Sequence, residues 1–194
     1  MKKQSFRSAR GTSIIEFALM MPLICALALG VVEMGWGLLD AHVVTRLARE
    51  GSNLISRDTS LQDAASAMRG MNSRPVNFDA GSKVIFSVIR NIATIGSANY
   101  NKPVLYQRYE YGSFAASSKL TISGSGSFGP APEYQAVNPE GNTGLQVTNL
   151  PPNVGTTLGG MTYVTEIYSP HEILTPFNSF GFSMPTSLYS IAYF

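Results

Sequence analysis

One carboxylate stands where a purely anchoring chain would carry leucine. Glu16 sits at the head of an apolar run that continues, free of charge, from Phe17 to Val32. A charged side chain at mid-span costs about 2.5–3.5 kcal/mol on insertion scales, so a carboxylate there needs a counter-charge or a reason. Gly11 lies five residues earlier, behind Lys2, Lys3, Arg7 and Arg10 with no acid among them. Cutting the chain between Gly11 and Thr12 would create an α-amino group at Thr12 and leave Glu16 fifth. The amine of one chain can then neutralise Glu16 of a neighbour. Removing one partner of a buried ion pair typically costs about 3–5 kcal/mol, so the pair would also fix the packing register.

Other chemistry is thin. Gly124-Ser-Gly-Ser-Phe-Gly129 spells a dinucleotide-binding pattern after a predicted strand, but Pro130-Ala-Pro132 follows where the helix should begin, so it reads as a loop. His42 and His171 lack metal-ligand spacing and read as structural or solvated. Cys25, within the apolar run, lacks the polar or electropositive setting of a reactive thiolate. Neither a G-x-S-x-G elbow nor an H-E-x-x-H pair occurs, so no enzyme, metal or cofactor is expected. The single cysteine excludes an intrachain disulfide, so any exported domain must be held by its core. Beyond the basic leader the chain is net acidic, with no clustered Lys/Arg footprint for nucleic acid.

The element that must position Glu16 is a membrane-length helix. Ile14–Leu39 suffices for a span of ~20 residues at about 1.5 Å each, with Glu16 and Glu33 near opposite edges. The cationic start stays cytoplasmic and the polar remainder crosses the inner membrane, leaving a periplasmic C-terminal domain. A cleaved secretory signal would put Glu16 inside its apolar core. A lipoprotein signal would need a small residue where Ile24 precedes Cys25. A plain signal anchor leaves Glu16 unexplained. A type IV-like prepilin signal accounts for glycine, spacing and glutamate together.

Gly11, Glu16-Phe17-Ala18-Leu19, Pro22-Leu23, Gly30, Glu33, Gly35 and the run Arg46-Leu-Ala-Arg-Glu-Gly-Ser52 resemble the TadE-like family, the minor pilins or pseudopilins of tight-adherence (Tad, Flp-type) pilus systems. Leu47 departs from the small residue expected in that run. The resemblance implies processing by a prepilin peptidase between Gly11 and Thr12. It also implies assembly with other Tad pilins on an inner-membrane platform, ending at the pilus or cell surface. The chain's length points to a minor subunit. Within the span, Pro22 removes one helical hydrogen bond. Ala26 and Gly30 form a small-xxx-small pair that permits close helix approach. Glu33 is either a second assembly contact or an interfacial carboxylate reaching water, the second being favoured. The other functional reading is a membrane-anchored binding or adhesin domain that keeps its leader and binds through an external loop.

The expected fold class is α+β: a long N-terminal transmembrane and stem helix, then a small antiparallel sheet domain with one more helix. Residues 1–11 are leader, 12–39 the transmembrane assembly helix, 40–57 its periplasmic continuation and 58–194 the exported domain. Val43, Val44, Leu47, Ala48, Gly51, Leu54 and Ile55 share one helical face, with a break at Gly35-Trp36-Gly37 as the alternative. A second helix is expected over Ser60–Met71, opened by a Ser60/Asp63 capping box and closed before Pro75. Strands are expected at Lys83–Ile89, Val104–Tyr111, Lys119–Ser123, Met161–Tyr168 and Leu188–Phe194. Residues 123–160 are expected to be mostly loop, with a short strand at Leu145–Thr148. The apolar stretch Ile173–Phe177 also fits the family resemblance.

Overall fold

The computed structural model describes residues 7–155, 157–176, 181 and 183–194, with side chains from residue 13 onward. The first six residues of the expected leader, and Phe177, lie outside the described residues. The chain forms two compact units, Met1–Leu39 with Ile173–Met184 and Asp40–Glu172 with Pro185–Phe194.

Helix α1 spans Arg7–Ile55 and contains Pro22. No break occurs at Gly35-Trp36-Gly37; the continuous reading holds. The segment Ser13–Ile55 is long and apolar enough to cross a membrane. Its first part bares apolar side chains all round, including Phe17 at 63% and Val31 at 72% exposure. Such a surface suits lipid, where a helix satisfies its own backbone and water cannot. From residue 40 the pattern narrows to a stripe. Val44, Leu47, Ala48, Gly51 and Ile55 are buried at helical spacing, and Arg46, Arg49 and Glu50 are exposed.

Helix α2 spans Leu61–Gly70. Ser60 caps it by accepting the Asp63 N–H at 3.1 Å, and the Ser60 hydroxyl donates to the Asp63 carboxylate at 2.7 Å. Leu61, Ala64, Ala65 and Met68 form its buried face, so Met68 is core filler.

Four antiparallel strands follow: β1 (Lys83–Asn91), β2 (Pro103–Gly112), β3 (Met161–Pro170) and β4 (Ser187–Tyr193), in spatial order β2-β1-β3-β4. Strand β1 is central. Six consecutive residues, Val84–Ile89, are buried, rather than the alternation of a half-exposed strand. One face meets α1 and α2 in a core that includes Val44, Met68, Phe86 and Ile167. The other, which includes Val164 of β3, is covered by irregular chain through Leu120 and Val147.

Two local expectations are corrected. Lys119–Ser123 is not a strand; it makes one isolated bridge, Ile122 to Val147. Leu145–Thr148 is not one either: a 3-10 turn at Thr143–Leu145 leads into single bridges from Gln146 and Val147. Both stretches alternate in hydropathy, yet no neighbour runs alongside long enough to build a ladder. Among the described residues, the region 123–160 otherwise lacks extended strands and is nonetheless packed, with Leu145 and Ala136 buried beside Val104.

Candidate functional site

Glu16 is exposed on α1, beside Phe17, and no hydrogen bond or salt bridge reaches it among the described residues. Its neighbours Ile14, Ile15 and Leu19 are 62–75% exposed, so the carboxylate stands alone on an apolar surface. The backbone at Gly11 and Thr12 is helical; their side chains lie outside the described residues. Pro22 lies inside the helix, and its ring nitrogen carries no N–H, so the Ala18 carbonyl lacks its usual helical donor. Ala26 is exposed and Gly30 is half-buried.

Glu33 departs from the favoured expectation of a carboxylate reaching water. It is 4% exposed. Its Oε2 accepts the Leu174 N–H at 3.1 Å and the Thr175 N–H at 2.9 Å. These donors lie 141 and 142 residues away in sequence but inside the same compact unit. Two backbone amides converging on one carboxylate are charge-assisted hydrogen bonds, about twice as strong as neutral ones. Nothing local in the sequence marks the pairing. The sequence marks Ile173–Phe177 as an apolar stretch that fits the family resemblance, without pointing to Glu33.

The run Arg46–Ser52 acquires a structural explanation. A Cβ on Gly51 would stand 2.7 Å from Thr165 Cγ2, 3.0 Å from Thr165 Oγ1 and 3.2 Å from Phe86 Cε1. Glycine lets the helix backbone approach β1 and β3 closely. Ser52, 1% exposed, donates its hydroxyl to the Ala192 carbonyl of β4 at 3.0 Å. Asp40 meets His171 Nδ1 at 2.9 Å, both side chains under 8% exposed. His171 is therefore packed against a carboxylate, whereas His42 is exposed.

A buried polar cluster centres on Glu166 of β3, at 0% exposure. It accepts hydrogen bonds from the Ser118 hydroxyl, the Lys119 N–H at 2.8 Å and the Tyr189 hydroxyl at 3.0 Å. The Tyr168 hydroxyl lies 3.3 Å from it while donating to the Ser117 carbonyl at 2.8 Å. Burial, then the nearby Glu166 carboxylate, pushes the Tyr168 and Tyr189 phenols well above their ordinary value. Burial lowers Arg108, and Glu166 partly offsets that. The group ties residues 117–119 to the sheet. It offers a carboxylate whose lone pairs are already taken, not a nucleophile or a base facing a cavity. Among the described residues, no group of three or more His, Cys, Asp or Glu side chains is placed to hold a metal.

What the N-terminal arrangement can do is associate. It presents a helix with an apolar surface, one carboxylate near its start that has no partner among the described residues, and a close-packed junction with the sheet at Gly51. No curated protein and no solved structure matches the chain. Over residues 11–53, the stretch from the proposed cleavage point to the Gly51–Ser52 junction, the chain matches the TadE-like protein family.

Proposed function

We propose that the chain is a minor pilin or pseudopilin of a tight-adherence pilus. A prepilin peptidase cleaves it between Gly11 and Thr12, and its N-terminal helix then assembles with other Tad pilins on the inner-membrane platform. The domain beyond the helix lies in the periplasm before assembly and primes or caps the fibre. The observation that carries this reading is Glu16. Its carboxylate is exposed on an apolar helix with no partner among the described residues. In lipid that charge favours any arrangement that brings a cation to it. The new amine at Thr12 of an adjacent subunit is such a cation, four residues from its own Glu16. Phe17, Pro22, Ala26 and Gly30 shape the surface along which the helices meet.

Intact-mass measurement of the membrane-extracted protein tests the processing step: the mature chain should begin at Thr12. A retained leader would remove the amine and with it this role. Glu16→Ala tests assembly separately. Cleavage should proceed as before while co-purification with the other pilins falls. Unchanged assembly would refute the pairing.

A further inference from the structure

We infer that Ile173–Pro176, the short stretch that follows β3, is a lipid-contacting segment latched to α1 by Glu33, and that it lies in the interfacial layer of the bilayer leaflet at the C-terminal end of the span. The inference rests on α1 being a membrane span. Four observations carry it. Glu33 is a carboxylate in an otherwise apolar stretch, yet it is 4% exposed and holds two loop amides at 2.9 and 3.1 Å. Leu174, which donates one of them, keeps its own side chain 49% exposed beside that apolar helix. Ile173, Leu174 and Pro176 are apolar and Thr175 is uncharged, with Leu174 and Pro176 exposed. Ile173–Met184 also belongs to the same compact unit as the span.

Depth follows from helix geometry. From Ser13 to Glu33 the helix rises about 30 Å at ~1.5 Å per residue, the thickness of a hydrocarbon core. Glu33 therefore arrives at the boundary where acyl chains give way to headgroups. Val31, Met34 and Leu38 around it are 72–73% exposed, so the remaining helix surface at that level faces lipid too. A bare carboxylate there would need water. Two amides replace that water, and in return the loop's own N–H groups are satisfied at a depth where unpaired donors are costly. An uncharged loop held at that level meets acyl chains and headgroups.

The test uses the full chain in phosphatidylcholine vesicles, on a Cys25→Ser background, with an environment-sensitive fluorophore on Leu174→Cys or Leu27→Cys. Lipids carrying a nitroxide either near the headgroup or deep in the acyl chain, and aqueous iodide, serve as quenchers. The Leu174 label should be quenched most by the shallow nitroxide and little by iodide; the Leu27 label most by the deep one. If the Leu27 label escapes both nitroxides, the helix does not span and the underlying reading fails. If Leu27 behaves as expected but Leu174 responds to iodide alone, the span stands and the loop inference is overturned. Shielding of Leu174 from all three quenchers would mean that protein covers it, and would overturn it equally. Glu33→Gln keeps a carbonyl acceptor and should retain the shallow quenching. Glu33→Leu loses both charge-assisted bonds, weakening loop docking roughly a hundredfold and turning the Leu174 label to iodide. Identical behaviour of the two variants would refute the latch.

Discussion

Replacing Gly51 by alanine sets two well-characterised effects against each other. In a helix interior, alanine is favoured over glycine by about 0.8–1.0 kcal/mol. Here the added methyl would lie 2.7 Å from Thr165 Cγ2 and 3.2 Å from Phe86 Cε1. Both neighbours are fully buried, so neither can swing into solvent. Overpacking of this kind typically costs about 1–3 kcal/mol. The balance is a loss of roughly 0–2 kcal/mol, which for a protein of this size lowers Tm by about 2–4 °C per kcal/mol. The sharper prediction is a change of sign. Thr165→Ala removes both of the shortest clashes, and it deletes a buried hydroxyl that has no hydrogen-bond partner among the described residues. In that background Gly51→Ala should turn from a loss into a gain of up to ~1 kcal/mol, because the helix preference then faces only the milder Phe86 contact at 3.2 Å. The coupling between the sites is then at least about 1 kcal/mol, within the range for residues in contact. Thermal melts in detergent, followed by tyrosine near-UV circular dichroism, report on the right part of the chain. All nine tyrosines lie between residues 100 and 193. Equal effects of Gly51→Ala in both backgrounds would refute the close helix–sheet contact.

Glu166→Gln should cost about 2–3 kcal/mol in urea unfolding, because an amide NH2 would face donors where the carboxylate accepted them. Gly112→Ala should cost about 3 kcal/mol or more. Gly112 has φ +112, and a Cβ would lie 2.2 Å from the Ser82 carbonyl oxygen, which is backbone and cannot step aside. Protease resistance of the folded domain would reveal that loss. At alkaline pH the domain should weaken as pH rises past ~10, the ordinary tyrosine value. Tyr168 and Tyr189 have native pKa values raised above it, so only the unfolded chain releases their protons there. Below pH ~10 both states hold those protons, and this contribution to the pH dependence vanishes. Absorbance at the phenolate band should show these two residues ionising together with unfolding; independent ionisation in the folded state would contradict their burial.

The sequence by itself determined whatever depends on near neighbours. Hydropathy set the span, helical period set the buried stripe at Val44, Leu47, Ala48, Gly51 and Ile55, and Ser60 with Asp63 set the start of α2. Alternation and β-branched residues located four strands, because those patterns act within a few residues of chain. The spacing of Gly11, Glu16 and Pro22 is likewise a near-neighbour pattern, and the role given to it is the proposal made above. Tertiary structure alone decided what needed two distant segments. It hid Glu33 beneath amides contributed by Leu174 and Thr175, and it set Asp40 against His171. It gave Gly51 its purpose through Thr165, and it gathered donors from residues 118, 119 and 189 around Glu166. It also withheld a strand from Lys119–Ser123, since a strand exists only if a neighbour supplies its hydrogen bonds. A side chain's type says what partner it needs; only the folded path of the chain says which partner it gets.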